Sequence, residues 1–182
     1  MVESLSGRVV ELRGQKFNNK EMEYIFNMTD EQFMILAIKK AEQGIMAGQT
    51  PFGACIVKDD QVIACAHNVV WKTIDITAHA EIHAIRLACE ELKTIDLSGC
   101  RIYSTCEPCP MCFSAIHWAR IGEIFYGASI EDAEDAGFHE LSISNIQMKD
   151  LGKSSVKVYD RILKRECCQL FDMWSKNNGQ AY

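Results

Sequence analysis

Three cysteines stand three apart in the stretch STCEPCPMCFS: Cys106, Cys109 and Cys112. Thiolates at that spacing hold an iron–sulfur cluster, close a structural zinc site or open a catalytic one. The bacterial ferredoxin run continues to a fourth cysteine followed by proline, but here that position is Ile116 and no Cys-Pro follows. Other donors lie upstream in DITAHAEIHAIR: His79, Glu81 and His83. A metalloprotease helix needs glutamate directly after its first histidine, whereas Glu81 comes two residues after His79. The two stretches therefore read H-x-E, then P-C-x-x-C at Pro108–Cys112. Cys109 and Cys112 are i and i+3 at a helix start, so both thiols face one way. Helix N-terminal amides favour the thiolate that binds metal. His79 sits at a second helix start, so two helix N-termini are expected to converge on one ion.

One histidine and two cysteines leave the fourth tetrahedral position of a zinc ion to water, which is the catalytic pattern. Glu81 is then a proton carrier beside that water and not a ligand. The competing closed site would take Cys106 as fourth ligand. Against it, Pro108 holds Glu107 extended, which leaves Cys106 on a preceding strand, short of the metal. His83 reads as a packing or supporting residue, and His67, His117 and His139 as ordinary polar residues.

The elements that must position these groups are legible in outline. Thr29-Asp30-Glu31-Gln32 is a capping box with Met28 and Phe33 as its hydrophobic staple. Phe33, Leu36, Ala37, Ala41 and Ile45 follow at helical spacing, and Gly48 ends the helix. PFGACIVKDDQVIACAHN reads as two strands around an Asp59-Asp60 turn. A second helix is expected from about Thr77, with Ile82, Ile85, Cys89 and Leu92 on its buried face. A strand at Arg101–Thr105 follows the break at Ser98-Gly99. A third helix opens at Cys109 or Pro110 and ends near Ile121. Next come a strand at Glu123–Gly127, a short acidic helix at Ile130–Asp135, a strand at Val156–Ile162 and a helix at Arg165–Lys176. A strand pair followed by alternating helices and strands implies a mixed sheet with helices on both faces. Residues 1–27 read as a partly ordered extension with a short strand at Arg8–Leu12, and residues 28–182 as the functional domain.

The 182 residues suit one domain. The N-terminus has no apolar core of a secretory signal, and no apolar run is long enough to span a membrane. Nine cysteines, an odd count, favour a reducing cytosol over a disulfide framework. Cys55, Cys65 and Cys89 lie in apolar runs and read as small core residues; Cys167 and Cys168 suggest no function. Net charge is −6, with lysines and arginines scattered, which argues against nucleic acid as the main partner.

The H-x-E and P-C-x-x-C pair is the signature of zinc deaminases. The chain resembles the cytidine-deaminase-like superfamily and is similar to its guanine deaminase branch, from about Phe33 to the C-terminus. The resemblance rests on PFGACIV, Asn68, TAHAEIHAIRLAC, CEPCPMCFSAIHWAR, YGASIEDAEDAGF and the terminal Tyr182. It implies a three-layer αβα sandwich around a mixed five-stranded sheet, with zinc on His79, Cys109 and Cys112 and catalysis by Glu81 assisted by Glu140. It also implies substrate contacts from Asn68, Ala80, Phe52, Trp118 and Tyr182. The expected activity is deamination of a purine base, guanine first. Guanosine, cytosine, an aminotriazine or tRNA adenosine are the alternatives within the chemistry, and a non-catalytic zinc module the alternative outside it. The expected assembly is a cytoplasmic homodimer, away from membranes, whose C-terminal strand and helix exchange across a hinge in SISNIQMKDLGKSS. His139-Glu140 departs from the pair of aspartates usual after AGF, and the N-terminal extension is absent from the shortest members.

Overall fold

The computed structural model describes residues 10–12, 15–17 and 28–182. Within the extension, β1 (Val10–Leu12) pairs antiparallel with β2 (Gln15–Phe17). β1 overlaps the strand expected there, and the rest of the extension lies outside the described residues. Thr29 caps α1 (Asp30–Met46) as its sequence predicts: Thr29 Oγ1 accepts the Gln32 amide at 3.3 Å and Gln32 Oε1 accepts the Thr29 amide at 2.8 Å. β3 (Gly53–Lys58) and β4 (Gln61–His67) meet at Asp59 and Asp60, both in the left-handed region at φ 48° and 56°. Two such residues make the tight hairpin turn whose twist matches the strands.

A single helical turn, α2 (Val70–Thr73), then leads to α3 (Ala80–Leu92). β5 (Cys100–Cys106), α4 (Pro110–Trp118), β6 (Glu123–Ala128) and α5 (Ile130–Asp135) follow, then α6 (Asn145–Gly152), β7 (Lys157–Tyr159) and α7 (Lys164–Lys176). The large sheet runs β4-β3-β5-β6-β7. β3 is antiparallel to β4 and β5, while β5, β6 and β7 are parallel. This is the mixed five-stranded sheet of a three-layer α/β sandwich. One face packs Phe33, Met34 and Ala37 of α1 and Leu170, Phe171 and Trp174 of α7; the other packs Ala84 and Ala88 of α3 and Phe113 and Ile116 of α4. Gly53 is required where α1 crosses β3, because a Cβ there would collide with the Ala37 carbonyl and the Ala41 amide.

The structure corrects three expectations. α3 begins at Ala80 and not at Thr77, because the Thr77 amide and hydroxyl both donate to Asp75 Oδ1 in a loop, at 2.9 and 2.6 Å. Its fully buried stripe is Ala80, Ala84 and Ala88, with Ile85, Cys89 and Leu92 packed beside it. Small residues at the centre let the helix lie close on the sheet. The last strand is shorter than 156–162: the chain leaves the sheet after Tyr159, and Arg161 and Leu163 take left-handed φ values of 61° and 51° on the way into α7. SISNIQMKDLGKSS is no open hinge. Ser144 and Gln147 form a capping box for α6, and Asn145 is buried, its amide donating to Glu107 Oε1 at 2.8 Å and its Nδ2 to the Pro108 carbonyl at 2.6 Å.

Candidate metal centre and its cavity

The sheet's topology brings the end of β5, the start of β3, the end of β4 and the N-termini of α3 and α4 to one edge. His79 and Cys109 are the N-cap residues of α3 and α4, and Pro110 fills the first helical position of α4, where its missing N–H costs nothing. Cys112 follows one turn on. His79 Nδ1 lies 3.7 Å from Cys109 Sγ and 3.6 Å from Cys112 Sγ, and the three donor atoms lie within 4.8 Å of one another. A tetrahedral zinc with its usual Zn–N and Zn–S bonds separates such ligand atoms by about 3.6 Å. The group therefore fits zinc without rearrangement.

Cys106 is the last residue of β5, buried, with its thiol donating to the Ser129 carbonyl at 3.5 Å. Burial pushes that thiol up, and it stands outside the ligand group. His83 is turned away, its Nδ1 3.3 Å from the His67 carbonyl. The geometry is thus the three-ligand arrangement with one open position.

Electrostatics suit a cation. Hydrogen bonding from Cys112, and then the His79 ring, pull the Cys109 thiol down to about 4 against the opposing effect of burial. That same contact and burial raise Cys112. Burial disfavours a charged His79, but Cys109 and Glu81 outweigh it and the ring is raised. Glu81, on the first turn of α3, is buried; burial raises its carboxyl. Its Oε1 accepts the Ser104 hydroxyl at 3.1 Å, and its Oε2 lies 3.5 Å from Cys112 Sγ, on the ligand side.

A cavity of about 370 Å³ opens on this group, lined by His79, Cys109, Met111, Phe138, Glu140 and Tyr182 among others. Burial, and then the nearby Cys109, raise Glu140. Asn68 is fully buried: its Oδ1 accepts the Val70 amide at 3.0 Å and its Nδ2 donates to Tyr182 Oη at 2.9 Å. Tyr182 Oη also lies 3.3 Å from His79 Nε2, and Trp71 Nε1 holds the tail by donating to the Gln180 carbonyl at 3.0 Å. The tail thus closes the pocket of its own chain. Ala80 is buried at the helix start beside His79.

Two expected substrate contacts are placed otherwise. Phe52 stands behind the wall, its ring edge-on to Phe138 at 4.9 Å and Phe171 at 6.0 Å. Trp118 is 82% exposed at the far end of α4, and nine residues of helical rise carry it about 13 Å from Cys109. Conversely, His139 and Phe138 line the cavity. Helical or strand periodicity gave no sign of them, because both lie in the irregular segment after α5. Glu107 was also missed. It is buried and accepts the Asn145 amide at 2.8 Å and the Ile130 amide at 3.4 Å, fixing the loop that carries Cys109. Its position before Pro108 was the available signal.

Residues 27–128 match the family model for the cytidine and deoxycytidylate deaminase zinc-binding region. A guanine deaminase of Bacillus subtilis (strain 168) is 41% identical over 148 residues, which cover 81% of this chain and 94% of that protein. A tRNA-specific adenosine deaminase of Aquifex aeolicus (strain VF5) is 43% identical over 101 residues, covering 56% of this chain and 67% of that one. Among solved structures, guanine deaminase from Nitrosomonas europaea superimposes with a TM-score of 0.76 at 29% identity, over 82% of this chain and 86% of the other.

Proposed function

The chain belongs to the cytidine and deoxycytidylate deaminase zinc-binding family, and on that premise we propose that this zinc-dependent hydrolytic deaminase converts guanine and water to xanthine and ammonia. The observation that carries the choice of substrate is the convergence of Asn68, Glu140 and Tyr182 on the cavity over His79, Cys109 and Cys112. These groups offer a hydrogen-bonding amide, an acid and an aromatic cover to a flat, polar-edged base. The match to a guanine deaminase along nearly its whole length supports the same reading, whereas that to the Aquifex adenosine deaminase covers a shorter part.

His79, Cys109 and Cys112 are the residues that hold the metal. Zinc at such a site supplies Lewis-acid activation of water near neutral pH. Glu81 Oε2 takes a proton from the attacking water and delivers it first to a ring nitrogen and then to the departing amine. Ser104 fixes Oε1, so the other oxygen stays aimed at the ligand group. Glu140 receives the exocyclic amine's N–H and steadies it as ammonia leaves. Asn68 Nδ2 turns from Tyr182 to an acceptor on the purine edge, and the Tyr182 ring excludes water.

The same reading includes a cytoplasmic homodimer. α4 and α6 leave Trp118 and Leu151 exposed at 82% and 83%, and His117 Nδ1, 3.2 Å from Ser154 Oγ, ties that end of α4 to the end of α6. A second copy would cover this apolar area.

Ammonia release from a panel of bases by the zinc-loaded protein tests the substrate. Guanine should exceed guanosine, cytosine and adenine in kcat/KM, because a site built on hydrogen bonds rejects bases that leave its groups unpaired by up to about 10⁴–10⁵-fold. Preference for a tRNA anticodon adenosine would assign the chain to the other branch, and no ammonia from any substrate would make the site a binding module.

A further inference from the structure

Outside the metal group, Cys55 on β3 and Cys65 on β4 are direct partners in the antiparallel ladder. The Asn68 amide donates to the Phe52 carbonyl at 3.0 Å, which makes Phe52–Asn68 a hydrogen-bonded position. Alternation along the ladder then makes Cys55–Cys65 a non-hydrogen-bonded pair. Side chains of such pairs come closest, with Cα atoms about 4.5 Å apart, at the short end of the span a disulfide tolerates. The register shift in this hairpin falls later, between Ile56 and Val57, and leaves the pair intact.

We propose that Cys55 and Cys65 form a reversible dithiol–disulfide modification site, in which Cys65 reacts with a hydroperoxide and Cys55 closes the bond.

The two cysteines are unequal in the way this chemistry needs. Cys55 is fully buried, whereas Cys65 is half-buried and reachable. Hydrogen bonding from Cys55, and then Lys40 of α1, lower the Cys65 thiol against the opposing effect of burial. An accessible thiol of lowered pKa beside a second cysteine is the arrangement peroxide-sensitive sites use. Cys89 and Cys168 are also half-buried, but burial pushes both thiols up. Exposure alone therefore does not select Cys65; its partner and its charge environment do.

The Cys65 thiolate takes one oxygen of hydrogen peroxide, breaking the O–O bond and releasing hydroxide, which is protonated to water. The product is a sulfenic acid. The Cys55 sulfur then attacks the Cys65 sulfur, the S–O bond breaks, and the hydroxyl leaves as water with the Cys55 proton. Two thiols have lost two electrons, and one peroxide has become two waters. The bond ties β3 to β4 three residues from both Phe52 and Asn68. A pair this closely spaced makes a strained disulfide, and strained disulfides are readily reduced by thiols.

The test uses the full zinc-loaded chain. It is treated with limiting hydrogen peroxide, alkylated and digested without reduction, with zinc content measured on the same samples. The expected result is a Cys55–Cys65 linked peptide while zinc is retained and Cys89 and Cys168 remain alkylated; reduced glutathione should remove the link. Cys55→Ser should stop at a Cys65 sulfenic acid that dimedone labels. Absence of the linked peptide while Cys89 or Cys168 is oxidised first would overturn the proposal, as would a Cys55→Ser chain with no dimedone adduct at Cys65. The wild-type measurement decides even if the substitution unfolds the chain.

Discussion

Glu81 and Cys106 lie within one site and are predicted to behave oppositely. Glu81 touches Cys112 Sγ and the Ser104 hydroxyl, and it is not among the metal-facing donors. Glu81→Gln keeps a side chain of the same shape and removes the proton carrier. Activity should fall by at least about 10²–10⁴-fold, the worth of general acid–base catalysis, with one zinc still bound; near-normal turnover of the zinc-loaded variant would take Glu81 out of the mechanism. Cys106 is separated from the ligand group by the extended Glu107-Pro108 segment and spends its thiol on the Ser129 carbonyl. Elemental analysis should therefore find zinc retained in Cys106→Ser and lost in Cys109→Ser and Cys112→Ser. Comparable loss in all three would make the site a closed Cys3His centre.

At the scale of elements, what holds the site together is close helix–sheet contact, and Gly53 tests it. Gly53→Ala drives a methyl into the Ala37 carbonyl and the Ala41 amide. Backbone cannot rotate aside as a side chain does, so α1 must lift from β3. A loss of about 1–3 kcal/mol is expected, the usual cost of overpacking, read as a lowered denaturation midpoint at unchanged slope; an unchanged midpoint would mean that α1 has room to move. This contact also marks how far the sequence was legible. The capping box at Thr29, the Asp59-Asp60 hairpin and the acidic helix at Ile130–Asp135 were readable because each is specified by neighbouring residues. The metal ligands were readable for the same reason, being local pairs at two helix starts. What escaped was set by distant partners. α6 exists as a packed helix because Asn145 is anchored on Glu107 and Pro108, and the His139 and Phe138 wall is positioned by the cavity it borders. Trp118 failed as a pocket residue because its place in a motif says nothing about the length of helix between it and the metal.

At the scale of the whole molecule, the open question is which chain's tail covers which pocket. Tyr182 meets Asn68 and His79 of its own chain here. All that follows α6 is held by β7 pairing on β6 and by α7 packing on the α1 face of the sheet. A second copy offers identical surfaces, so exchange changes no contact except in the connection at Lys153–Val156, where Lys153 already adopts a left-handed φ of 51°. The hinge thus belongs after α6 and not within it. The exposed Trp118 and Leu151 give two copies a reason to associate, and associated copies raise each other's local concentration, the condition under which exchange of an identical element is favoured. Complementation decides the matter. One chain carries Glu81→Ala with a normal tail; the other keeps the zinc site and lacks residues 177–182. Each alone should be nearly inactive. Co-expressed, the exchanged dimer places an intact tail over an intact zinc site and should recover part of the wild-type ammonia release. If purified mixed dimers remain as inactive as either parent, each tail closes its own chain's pocket and the exchange is wrong.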